Sequence, residues 1–152
     1  MNDLDQTDIE ILRLLQCDAE LTNKEMATKL HKSIATIHDR VRRLKESGYI
    51  KRTVAILDRK KVNKGLITFS QVLLHDHAAE TLAGFEKEVV RFPEVMECFQ
   101  MSGSFDFILR VATTDMDAYH SFYRKLAALP NITTVQSYFV LSETKSDTAY
   151  PI

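Results

Sequence analysis

From Asp5 the chain reads DQTDIEILRLLQ, in which Ile9, Leu12 and Leu15 or Gln16 fall on one helical stripe that Ile11 and Leu14 widen. Asp5 and Asp8 stand near its start, where a helix dipole favours acids, so the spacing predicts a first helix there. LTNKEMATKLH, with Thr22 or Asn23 as N-cap and Met26, Ala27 and Leu30 inward, predicts a second helix of barely two turns. Ser33 caps a third, in which Ile34, Ile37, Val41 and Leu44 recur at spacings of three and four and Gly48 marks the end. Ala35, Thr36, His38, Asp39, Arg40, Arg42 and Arg43 are left on its other faces. The alternation from Gly48 to Asp58 predicts a strand.

A polar, basic bridge, DRKKVNKG, follows and has the composition of a helical turn; the pattern changes directly after it, which places a domain boundary between 1–64 and 65–152. LITFSQVLL is apolar and β-branched enough for a strand. AAETLAGFEKEVVRF carries Leu82, Phe85, Val89 and Phe92 at helical spacing and is broken by Pro93. VMECFQM and FDFILRVAT predict two strands around a Ser102-Gly103-Ser104 turn. DMDAYHSFYRKLAAL predicts a helix capped by Asp115, with Tyr119, Phe122 or Tyr123, and Leu126 inward; Pro130-Asn131 ends it before the strand ITTVQSYFVL. The order is βαββαβ, so the fold class is α+β, with a winged helix-turn-helix followed by a ferredoxin-like domain. One face of such a sheet is left open. The closing strand is apolar at positions of both alternations, so self-association, a homodimer at least, is expected through that face.

Charge sharpens this division. The net charge of the whole is −1, yet residues 1–64 carry 14 Lys/Arg against 10 Asp/Glu, whereas residues 65–152 carry 6 against 11. The stretch 33–52 alone packs six Lys/Arg against two acids. Three short helices, the last with small polar residues early and arginines later, suit a helix-turn-helix whose outer face enters the major groove of double-stranded DNA. Ser33, Ala35 and Thr36 permit close approach, His38, Arg40, Arg42 and Arg43 reach phosphates or guanine, and Lys51 and Arg52 form a wing against the backbone. The bland alternative is an amphipathic helix with a merely wet charged face.

The remaining chemistry is thin. His75 and His77 flank Asp76 at a strand end with no Cys or carboxylate partner at ligand spacing, which reads as a solvated turn and gives no metal site. No Ser/Cys–His grouping or phosphate-binding glycine motif is present, so an enzyme on the ferredoxin-like domain, or a small-molecule sensor without DNA binding, stands only as the alternative. Cys17 and Cys98 have no CxxC partner and read as free thiols. The longest apolar runs are a few residues, so no membrane span is expected, and the polar, acidic N-terminal stretch fits a cytoplasmic protein.

LDQTDIEIL, the helix-turn-helix ending in SIATIHDRVRRLKESGYI, and SGSFDFILRV followed by the closing strand resemble the Lrp/AsnC (leucine-responsive, feast/famine) transcription regulators over essentially the whole chain. The resemblance implies dimers formed through the C-terminal sheets, assembly to octamers, and a free amino-acid effector bound between dimers next to a Gly-x-x-Asp loop, with no other cofactor. Here that loop is Met101, Ser102, Gly103, Ser104 and Asp106, with Thr134, Gln136 and Ser137 of the closing strand beside it. The chemistry is compatible: N–H groups of a glycine turn suit a carboxylate, and Asp106 suits an ammonium group. Without the family, the residues favour the plainer reading, in which Gly103 and Asp106 only shape a hairpin. One departure lies in the bridge, where Asn63 stands at a position the family usually gives to Gly; Asn tolerates a left-handed backbone.

Overall fold

The computed structural model describes residues 4–152; residues 1–3 of the acidic N-terminal stretch lie outside the described residues. The chain forms two compact units, one running to Ile56 and taking back Lys145–Ile152, the other Leu57–Thr144. This differs from a division at 64/65. The bridge belongs with the second unit because its turn closes on itself, through Val62 N–H to Asp58 O and Lys64 N–H to Arg59 O. Arg59 then fixes it further, donating to Gly65 O and standing 3.7 Å from Glu143. Asn63 adopts the left-handed backbone, φ 57°, that the sequence reading allowed it. The last residues join the first unit because the Gln16 side-chain amide exchanges two hydrogen bonds with the Tyr150 backbone, at 2.7 and 2.8 Å.

The first unit holds α1 (Gln6–Cys17), α2 (Asn23–Leu30) and α3 (Ile34–Glu46). Each start is capped by a side chain: Asp5 and Thr22 complete capping boxes with Asp8 and Glu25, and Ser33 accepts from Thr36 N–H. Ile11, Met26, Ala27, Ile37 and Leu44 form the core. Ile34, expected inward, is instead half exposed, because it is the first residue of α3 and precedes the turn that Ile37 packs. The segment from 51 to 58 is not a strand in this chain, and Val54, Ile56 and Leu57 lie exposed along it. Alternation alone makes no strand: an extended segment needs a neighbour to take its backbone hydrogen bonds, and among the described residues none pairs with it.

The second unit follows the expected βαββαβ order: β1 (Leu66–Leu74), α4 (Ala79–Val89), β2 (Val95–Gln100), β3 (Phe107–Thr113), α5 (Met116–Ala127) and β4 (Ile132–Phe139). The strands form one antiparallel sheet in the order β2-β3-β1-β4. Val72, Leu74, Phe85, Val89, Phe107, Leu109, Val111, Phe122 and Leu126 fill the space between sheet and helices. The opposite face exposes Phe69, Phe99 and Tyr138.

Three hydroxyls lie under the helices in this core. Ser70 is fully buried and meets Tyr119 at 3.3 Å and Ser137 at 3.1 Å, and Tyr119 also donates to Ser137, so these satisfy one another. Thr68, the next residue along β1 on the same face, is fully buried with no partner for its hydroxyl among the described residues. A buried unpaired hydroxyl costs stability, and valine keeps its shape without that cost. Thr68→Val should therefore stabilise the chain by about 1 kcal/mol, read as a rise in Tm of about 3 °C; a fall in Tm would mean that the hydroxyl has a partner.

Candidate functional site

The recognition helix α3 is mounted on α1 through one carboxylate. Asp8 is fully buried. Its Oδ1 accepts from Arg40 Nη1 at 2.9 Å, its Oδ2 from Arg43 Nη2, and Oδ2 also closes the capping box on Asp5 N–H at 3.2 Å. Arg40 Nη1 reaches Asp5 Oδ2 as well, at 2.6 Å. The charges are drawn from two helices and meet where a buried carboxylate requires a full set of donors. This revises the DNA-facing set. Arg40, only 26% exposed, and Arg43 point their guanidinium groups at α1, whereas both were expected to reach DNA. Helical spacing assigned them correctly to the non-apolar faces, but the apolar stripe does not say which flank touches a neighbour.

Ala35, Thr36, His38, Asp39 and Arg42 are exposed on α3 without reaching α1, and Arg43 is 57% exposed even with its Nη2 on Asp8. Ser33 is spent as N-cap, accepting from Thr36 N–H at 3.1 Å. Arg42 is 61% exposed and paired only loosely, 3.4 Å from Asp39 and 4.0 Å from Glu46. Lys51 and Arg52 are exposed and stand in irregular chain, where the strand expected after Gly48 does not form among the described residues. Asp5 and Asp8 were read only as dipole partners; the signal that would have found the clasp is an acid one turn into a helix facing arginines at i and i+3 of another.

In the second unit, residues 101–106 connect β2 to β3. Gly103 has φ 150°, in the region that favours glycine. Among the described residues, no backbone carbonyl accepts from the N–H groups of Ser102, Gly103, Ser104 or Phe105. Asp106 anchors the loop: its N–H donates to Val72 O at 2.9 Å, its carbonyl accepts from Met101 N–H at 2.7 Å, and its Oδ2 accepts from Leu74 N–H at 2.7 Å. His77 Nε2 lies 3.0 Å from Asp106 Oδ1, a neighbour that reading His75 and His77 as a turn did not foresee. Thr134 and Gln136 are exposed on β4, Thr134 opposite Leu73 and Gln136 opposite Gln71. Ser137 lies on the other face, bound to Tyr119 and Ser70, so the structure removes it from the loop's surroundings. The side-chain period of two makes neighbours in a strand point apart, which counting residues near the loop overlooked. Cys98 and Cys17 are free; burial, with Glu86 nearby, pushes the Cys98 thiol up to about 11. Among the described residues no group of His, Cys, Asp and Glu could hold a metal ion, and no helix is long and apolar enough to cross a membrane.

A three-helix unit with an open polar face, joined to a separately cored βαββαβ unit, is the build of a DNA-binding transcription regulator with a ligand-binding domain. Residues 4–51 match the winged helix-turn-helix DNA-binding family, and residues 67–150 match the Lrp/AsnC ligand binding domain. The chain belongs to the Lrp/AsnC family. It is 36% identical over 153 residues to the Bkd operon transcriptional regulator of Pseudomonas aeruginosa, covering 100% of both. It is 32% identical to the DNA-binding transcriptional activator DecR of Escherichia coli, over 98% of this chain and 99% of that one. An AsnC family regulator from Agrobacterium tumefaciens superposes with a TM-score of 0.93 at 37% identity, over 97% of each chain. A transcriptional regulator from Neisseria meningitidis, in complex with L-Met, superposes with a TM-score of 0.92 at 34% identity, over 97% of this chain and 96% of that one. These relatives are regulators, and the enzyme alternative falls.

Two outcomes follow from the clasp. Asp8→Ala strands two arginines at a site built for a carboxylate and should destabilise the first unit by about 3 kcal/mol, the low end for breaking a buried pair because Arg43 remains half exposed; urea denaturation followed by helical circular dichroism measures it. The Arg40 guanidinium, and after it the Asp8 N–H, hold the Asp5 carboxyl below its ordinary value of 3.8. A carboxyl whose folded pKa is depressed adds stability above the unfolded pKa, and that stability is lost as pH falls through the folded one. Asp5→Asn should therefore be less stable than the parent at neutral pH but lose less on acidification below about pH 4, as an acid titration of the helical signal will register.

Proposed function

We propose that this protein binds operator DNA through the outer face of α3 and that a free amino acid, bound at residues 101–106, shifts its assembly or DNA affinity. The observation that carries the effector reading is a loop whose free N–H groups sit on a frame fixed by Asp106. Such donors suit an α-carboxylate. Asp106 keeps acceptor capacity beyond the Leu74 N–H, and an effector ammonium would take the place of the exposed His77 at Oδ1. Met101 and Gln136 border the loop and the sheet face and would set side-chain selectivity. The L-Met complex of the Neisseria relative supports an amino acid as the ligand class. The open face with Phe69, Phe99 and Tyr138 supports dimerisation through the sheets, and octamers follow from family likeness. A DNA-binding role also fits the cytoplasm.

On the DNA side, Ala35, Thr36, His38 and Arg42 form the groove surface, with Lys51 and Arg52 as backbone contacts beyond it. Arg42→Ala should weaken binding to all duplexes and reduce the salt slope by about one per lost phosphate contact, with an unchanged melting curve; mobility shifts on its own promoter and on a generic duplex across a salt series decide this. For the effector, calorimetry against the twenty amino acids at concentrations where sedimentation shows full assembly is the test. Asp106→Asn keeps an oxygen for the Leu74 N–H but removes the charge, and should abolish the heat while leaving the melting curve nearly intact. No heat from any amino acid, or heat unaltered by that change, removes the site.

A further inference from the structure

The side chain at the centre of the outer face of α3 is an acid. Ile37 and Leu44 are buried and define the inward side. Asp39 lies nearly opposite Ile37 on the helix, with Ala35 one turn before it, Arg42 in the turn after and Glu46 two turns on. Its side chain is 65% exposed and is touched only at the edges, by His38 Nδ1 at 3.5 Å and Arg42 Nη2 at 3.4 Å. With Arg40 and Arg43 clasped onto α1, this carboxylate occupies a larger share of the groove surface than the sequence suggests.

A carboxylate in that place is repelled by every phosphate, so it weakens binding to DNA in general. It contributes favourably only where the groove offers it a donor. Guanine presents two acceptors there and thymine an acceptor and a methyl group. Adenine has a donor at N6, but its N7 acceptor stands alongside and repels a carboxylate. Cytosine alone shows a donor, the N4 amino group, without an acceptor on the same edge. Taking the DNA-binding reading above as its basis, we infer that Asp39 is a specificity-determining residue, accepting a hydrogen bond from cytosine N4 in the major groove. The small Ala35 and Thr36 allow the close approach that so short a side chain needs. His38 Nδ1 and Arg42 Nη2 both lie beside the same oxygen, Oδ1, so neither occupies Oδ2. Asp39 thus lowers affinity for all sites and restores it at one base pair, which is discrimination by repulsion as much as by attraction.

The test uses the full chain, with Asp39→Ala and Asp39→Asn, in selection from a randomised duplex library followed by sequencing, and in titrations of the selected site and a generic duplex at one salt concentration. The parent should require cytosine at one position in each half-site. Asp39→Ala should lose that preference alone, with discrimination there falling roughly ten- to a hundredfold, and should bind the generic duplex more tightly. Asp39→Asn should exchange cytosine for adenine, because its amide accepts from N6 and donates to N7. Base preferences unchanged in both variants, or weakened evenly at all positions, overturn the inference while leaving DNA binding in place. A parent that binds no duplex overturns the DNA-binding reading, and the inference with it. Since the side chain is exposed, melting curves of all three should coincide.

Discussion

The helix-turn-helix unit depends on a single buried carboxylate. A fully buried Asp8 is tolerable only if it is ringed by donors, and the donors come from Arg40, Arg43 and the Asp5 N–H. Because the arginines belong to α3 and the carboxylate to α1, satisfying the charge fixes the angle and register between the two helices. The apolar core alone is small, with five buried side chains, and nonpolar contacts slide more easily than a bidentate ionic clasp. The acidic start of α1 and the basic run of α3 are therefore one feature. Part of what looks like a charge for DNA is a charge for the fold.

The second unit repeats that logic with a backbone N–H group as the donor to a carboxylate. Asp106 looks in the sequence like a ligand residue set beside a glycine, yet it ties its loop to β1 through two hydrogen bonds and closes it on Met101 through a third. A loop fixed at both ends leaves its middle N–H groups pointing outward without collapse, which is the condition for a site that meets its ligand preorganised. The proposed binding role of Asp106 would thus rest on a residue that already frames the loop.

Where periodicity decides, the sequence was legible: β1 spans the residues LITFSQVLL, Asp115 caps α5, and Ser33 caps α3. The errors share a cause. The strand expected after Gly48 lacked a partner, Arg40 and Arg43 gained one on α1, and Ser137 gained two across the sheet. Each depends on a group far along the chain, and a pattern of apolar positions records only that a face is covered, never by what. The turn around Gly103 was legible because glycine turns are local, and the family resemblance marked it as a candidate; its frame was not legible, because Val72 and Leu74 lie more than thirty residues away.

The clasp also limits how any effector can act on DNA. A recognition helix loosely packed on its neighbours could be switched by tilting within its own unit. Here tilting α3 against α1 would pull Arg40 and Arg43 off a fully buried carboxylate, at the several kcal/mol that breaking a buried pair costs. Regulation through this fold then falls on elements outside the clasp: the irregular chain from 51 to 58, whose backbone groups and apolar side chains are uncommitted, and the open sheet face that governs association. If ligand response works through assembly, as proposed, it acts on the spacing of copies and leaves the exposed side of α3 unaltered.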